Sequence, residues 1–131
     1  MAEKTFAVTR EGYTMQAKLS RENQDVLLEI TGGDVPHYGV VTIVSPHQAT
    51  QTIALQSRPG HQHQEGVLTE RIAAVIAPAL QNNAFIVGGL HVNRITKQQL
   101  AVAGAMAQAL GEQVRDYLLA HPRDEVIEEF S

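Results

Sequence analysis

Between Tyr13 and Ser20 every second residue is apolar: Tyr13, Met15, Ala17 and Leu19 alternate with Thr14, Gln16, Lys18 and Ser20. A period of two puts the apolar set on one side of a pleated chain, so the stretch predicts a strand with one buried face. Val26, Leu28 and Ile30 repeat the pattern. Phe6 and Val8 mark a shorter strand over residues 4–10, separated from the second by the turn pair Glu11-Gly12. Polar residues from Ser20 to Gln24, with Asn23 as turn former, separate the second strand from the third. Strands this close in sequence favour an antiparallel meander. Gly32-Gly33, followed by Pro36, predicts a break. Val40, Val41, Thr42, Ile43 and Val44 are β-branched and predict a fourth strand. Ser45-Pro46-His47 reads as a loop, and Thr50 to Gln56 as a fifth strand.

After residue 65 the period changes. Leu68, Ile72, Val75, Ile76, Ala79 and Leu80 recur at steps of three and four, which predicts a helix starting near Glu65 or Gly66. Pro78 should bend or end it. Ala84-Phe85-Ile86-Val87 is an unbroken apolar run and predicts a short strand covered on both faces. Gly88-Gly89 follows. Thr96 and Gln99 form a capping box for a second helix, whose stripe is Leu100, Ala103, Met106, Ala107, Leu110, Val114, Tyr117 and Leu118. Its small residues would permit close packing against a sheet or a second subunit. His121-Pro122 ends it, and residues 122–131 form an acidic tail expected to be mobile. Strands first and helices later predict an α+β fold, a mainly antiparallel β-sheet with two α-helices packed on one face. We expect one domain over residues 1–131, with a core at about 5–120.

Composition narrows the chemistry. Net charge is −4, there is no lysine or arginine run and no Trp, which argues against nucleic acid as a partner. The absence of cysteine rules out disulfides, thiolate metal sites and cysteine nucleophiles. No apolar run reaches the roughly 20 residues of a membrane span, and the N-terminus lacks a hydrophobic signal core, so the expectation is a cytoplasmic protein.

Six histidines stand out: His37, His47, His61, His63, His91 and His121. The segment from Arg58 to Arg71 carries two of them in a polar loop that runs into a helix start. Helix N-termini have unpaired N–H groups and partial positive charge, so they can hold a phosphate or carboxylate. Arg58 would add charge, and His61 and His63 donors. A metal site is a second reading, with His61 and His63 as a pair and His37 or His91 as further ligands. Independent catalysis would use His61 with Glu65 or Glu70, but no nucleophile motif, P-loop or dinucleotide fingerprint is present. Glu70 and Arg71 fall on the expected exposed face of the helix, as solvating charges. A ligand-free dimeric interaction module is the plainest reading.

Three segments in order carry a resemblance: Gly32 to Val41, Gly60-His61 through Glu65 to Ala73, and Gly88-Gly89-Leu90-His91-Val92-Asn93. Together they resemble the LpdD-like prenylated-flavin chaperone family, small accessory proteins of gallate decarboxylase systems with a UbiD-type large subunit. The resemblance covers roughly residues 5–120. It implies a fold similar to that of proteasome assembly chaperones. It also implies a non-catalytic partner of a UbiD-type hydroxyaromatic acid decarboxylase that binds prenylated FMN or FMN, acting as a homodimer or higher homo-oligomer. The resemblance places His37, Arg58, His61, Glu65, His91 and Asn93 at the ligand site.

Overall fold

A computed structural model describes residues 2–33, 37–58, 61–62, 66–91 and 96–129, with the backbone alone at 56–58, 61–62, 90–91 and 100. The strands are β1 (Lys4–Arg10), β2 (Tyr13–Glu22), β3 (Asp25–Gly33), β4 (Val40–Ser45), β5 (Gln48–Ala54), β6 (Gln56–Arg58), β7 (His61–Gln62) and β8 (Ala84–His91). The helices are α1 (Gly66–Ile76), which runs into a 3-10 turn (Ala77–Ala79), and α2 (Lys97–Ala120). Six strands form one sheet in the order β1-β2-β3-β8-β4-β5, and β6 with β7 forms a separate ribbon. This is the expected α+β architecture.

The alternation read in β2 is reproduced: Tyr13, Met15, Ala17 and Leu19 are buried. Opposite residues on neighbouring strands share a face, and the register links Ala17 to Ile30, Ile30 to Gly88 and Gly88 to Val40. That face meets both helices. Ile72, Ala73 and Ile76 come from α1, and Met106, Ala107, Leu110, Val114 and Leu118 from α2. The small residues of α2 serve this packing: a Cβ at Gly111 would lie 3.0 Å from Val75 Cβ, so the glycine lets α1 approach. Thr96 and Gln99 form the capping box. Pro78 lies in the 3-10 turn that replaces the last turn of α1.

The meander holds only for β1, β2 and β3. β8 inserts between β3 and β4, parallel to β3 and antiparallel to β4. Hydrophobic period cannot specify such non-local pairing. Nor is β8 covered on both faces. Ala84 and Ile86 are fully buried, whereas Phe85 on the helix-free face is 39% exposed. The expected break at Gly32-Gly33 is there, since β3 ends at Gly33 with a left-handed φ of 79°, whereas Gly88-Gly89 lies inside β8, which runs on to His91. β5 begins two residues earlier than expected and ends at Ala54, and part of the polar loop forms the β6–β7 ribbon.

The acidic tail departs from the expected mobile end. Asn23 Nδ2 donates to Val126 O and Asn23 Oδ1 accepts from Val126 N–H, both at 2.9 Å. Gln81 brackets Arg123 in the same way, at 2.8 and 2.9 Å. Gln24 Nε2 also donates to Arg123 O. Side-chain amides thus hold the tail backbone as a strand partner would.

Candidate functional site

The segments at Gly32-Gly33, Gly39 and Gly88-Gly89 meet at one end of the sheet. Parallel pairing of β3 with β8 sets Gly33 beside His91. On the other side of β8, the Gly39 N–H donates to Gly88 O at 2.8 Å, and the Leu55 N–H donates to Gly39 O at 2.9 Å. The ends of β3, β8 and β5 and the start of β4 therefore lie along the same margin, as the ribbon leaves from Leu55. α1 starts close by, because a Cβ at Gly66 would lie 3.2 Å from the Thr52 methyl.

Two glycines of β8 are required by what crosses them. A Cβ at Gly88 would sit 2.8 Å from the Thr69 methyl of α1. A Cβ at Gly89 would collide with the His37 carbonyl, with the carbonyl carbon at 2.6 Å and ring Cδ2 at 3.0 Å. The chain at His37 thus presses onto the helix-free face of β8, and the His37 Nε2 is shut off from solvent. Tyr38, 54% exposed, donates its hydroxyl to Glu29 Oε2 at 2.6 Å. That hydrogen bond, then burial, then the charge of Glu29 hold the Tyr38 phenol above its ordinary pKa.

The start of α1 is braced by a chain of hydroxyls. Thr69 donates to Gly66 O at 3.1 Å, Thr69 and Thr52 each lie 2.8 Å from the Thr42 hydroxyl, and Thr52 donates to Glu70 at 3.0 Å. Thr42 and Thr69 are buried. With Thr69 and Thr52 donating outward, the single proton of Thr42 serves one of them at a time. Glu70 is thereby more than the solvating charge read from sequence. It anchors α1 to β5. A hydroxyl inside a β-branched run is unremarkable in sequence, so nothing there marked Thr42.

Of the residues placed at the site by the sequence, His37 lies half-buried in the crossing segment. His91 closes β8 beside Gly33. Arg58 and His61 are register partners across the ribbon. Glu65, Asn93 and His63 lie outside the described residues. Among the described residues no group of three histidine or acidic side chains could hold a metal ion, and no helix is long and apolar enough to cross a membrane.

The helix α1 has 11 residues and no acidic residue in its first turn, and the ribbon that precedes it in the chain carries Arg58 and His61. The family model for the prenylated flavin chaperone LpdD-like domain matches residues 9–119. Protein LpdD of Lactiplantibacillus plantarum (strain ATCC BAA-793 / NCIMB 8826 / WCFS1) is 38% identical over 118 residues, 90% of this chain and 87% of that protein. The family match runs from the end of β1 through the ribbon and α1 to the last turn of α2, and the chain belongs to the LpdD-like prenylated flavin chaperones, a family of accessory proteins rather than enzymes.

Proposed function

We propose that the chain binds prenylated FMN, or FMN itself, and assists maturation of a UbiD-type hydroxyaromatic acid decarboxylase in the cytoplasm, working as a homodimer or higher homo-oligomer. The family match over residues 9–119 carries this reading. The residues present fit such a ligand. The phosphate would take the N-terminus of α1 with Arg58 and His61, where N–H groups and positive charge favour an anion. His37 and Tyr38 would border the ring, with Glu65, His91 and Asn93 completing the rim. When bound, the flavin brings the redox-active ring, and the chain contributes binding and shelter.

Native mass spectrometry of untagged chain, co-expressed with a flavin prenyltransferase, tests it. A mass increment equal to prenylated FMN or FMN is expected, and elemental analysis of the same sample should find no stoichiometric metal. No flavin increment, together with decarboxylase activity that is unchanged when the chain is deleted, would overturn the proposal.

The open apolar face supports a second reading, an interaction module without a ligand. Leu27, Phe85 and Ile53 stand exposed on it. His37→Ala and His61→Ala separate the two: a flavin carrier loses function while staying folded, and a scaffold tolerates both.

A further inference from the structure

The acidic tail is held in place without burying anything apolar. Asn23 takes both backbone groups of Val126, Gln81 takes both of Arg123, and Gln24 adds a second donor to Arg123 O. Arg21 Nη1 donates to His121 O at 2.6 Å, and the Arg123 guanidinium reaches Asn23 O at 3.1 Å and Glu3 at 3.4 Å. Fixing a backbone costs entropy, and a hydrogen bond traded against water returns little. A docked terminus normally offsets that cost by burying apolar side chains. Here residues 124–129 are exposed throughout, and Val126 at 71% and Ile127 at 76% are the most exposed large apolar side chains among the described residues. The family match ends at residue 119, so this segment lies outside the matched domain.

Charge is segregated in the same place. The chain has 10 Lys and Arg against 14 Asp and Glu, and Asp124, Glu125, Glu128 and Glu129 are among the latter. The tail therefore carries the whole net charge of −4, while the rest of the chain is balanced. These carboxylates make no hydrogen bond or ion pair among the described residues. An exposed aliphatic pair thus stands with two carboxylates on either side of it, on a backbone that is already fixed.

We propose that residues 124–129 are a preformed docking segment for a basic protein surface, an apolar pocket for Val126 and Ile127 rimmed by lysine or arginine, and that this surface belongs to the decarboxylase subunit. The identity of the partner rests on the proposed function, whereas the chemistry of its surface rests on the tail alone. Nucleic acid and anionic lipid repel a run of carboxylates, so the complement is a cationic protein. A segment fixed before contact spares the complex the entropy of ordering it. Asn23 lies in the β2–β3 turn and Gln81 just before β8, at the end of the sheet opposite the margin where β3 and β8 finish at Gly33 and His91. A partner held by the tail leaves that margin open.

Val126 is held through its backbone, so Val126→Ser with Ile127→Ser changes the surface of the segment and keeps the clamp. Titration calorimetry of the full chain against the flavin-free UbiD-type decarboxylase subunit reads the result. This double variant should bind about tenfold more weakly. Glu125→Lys with Glu128→Lys should weaken binding by a similar factor, and added salt should weaken the unmodified chain more than this variant. Both should melt as the unmodified chain does, with the same response to FMN, since the tail is remote from the margin. Asn23→Gly leaves every tail side chain in place and should weaken binding severalfold, because the complex must then order the segment. If either double variant binds as tightly as the unmodified chain, the docking segment is overturned while the decarboxylase partnership stands. Equal affinity of Asn23→Gly would overturn the preformed state. If the unmodified chain itself does not bind the decarboxylase subunit, the partnership fails and the role of the tail fails with it.

Discussion

At Thr42 a single hydroxyl ties three elements together, because it meets Thr52 on β5 and Thr69 on α1 while fully shielded from water. Thr42→Val keeps the shape and removes the polar atom, leaving partner hydroxyls short of a bond. The expected cost is about 1–3 kcal/mol, read as a lower urea midpoint with an unchanged m-value. Tyr38 makes a pH-dependent case. Its phenol is held above the ordinary value, first by the hydrogen bond to Glu29. A raised folded pKa means that the pairing contributes below the ordinary tyrosine value of 10.0 and is lost as pH climbs through the folded one. Ultraviolet titration should therefore show one tyrosine ionising late that disappears in Tyr38→Phe. If the difference spectrum titrates at the ordinary value, the Glu29 bond does not persist in solution.

Among the elements, β8 shows how one sequence serves two faces. Phe85 and Ile86 are adjacent and look alike in an apolar run, yet Ile86 is fully buried under the helices and Phe85 sits on the open side. Ile86→Ala should cost roughly 2–5 kcal/mol, as large-to-small core changes do. Phe85→Ala should cost well under half of that by the same denaturation measurement, since much of its surface is already in water. Period and caps made β1 to β3, α1 and α2 legible, because alternation in β2 and the box at Thr96 and Gln99 are local. The place of β8 was not legible, since it depends on pairing with β3, some sixty residues earlier in the chain. The ribbon was hidden too, because strands of two or three residues carry no period. At the site, Gly88-Gly89 stood out as a motif, but the reason for the pair lies in the Thr69 methyl and the His37 carbonyl. The tail was misread because its partners are amides of Asn23, Gln24 and Gln81. Asn23 holds a left-handed φ of 54°, which glycine also accepts. Asn23→Gly should thus keep the turn, release the tail and leave the Val126 amide exchanging freely in hydrogen-exchange measurements. Protection of that amide in the variant would mean that other contacts hold the tail.

For the whole molecule, the division into a helix-covered face and a bare one sets how binding and stability are linked. The core lies entirely between the helices and one side of the sheet, so the opposite side and the margin bearing His37 and His91 are free to exchange partners without unpacking it. A ligand that binds only the folded chain stabilises it by mass action, about 2.7 kcal/mol at a hundred times its dissociation constant. For a chain of 131 residues that corresponds to a rise of roughly 8–10 °C in unfolding midpoint. If the proposed flavin reading holds, prenylated FMN should produce such a rise, and riboflavin, which lacks the phosphate, a much smaller one, because the helix N-terminus would recognise the anion. Gly89→Ala should displace the His37 segment and erase the ligand-dependent rise even where the unliganded protein still melts cooperatively. Equal shifts with FMN and riboflavin would move recognition from the phosphate to the ring and direct attention to the apolar face around Phe85 instead of α1.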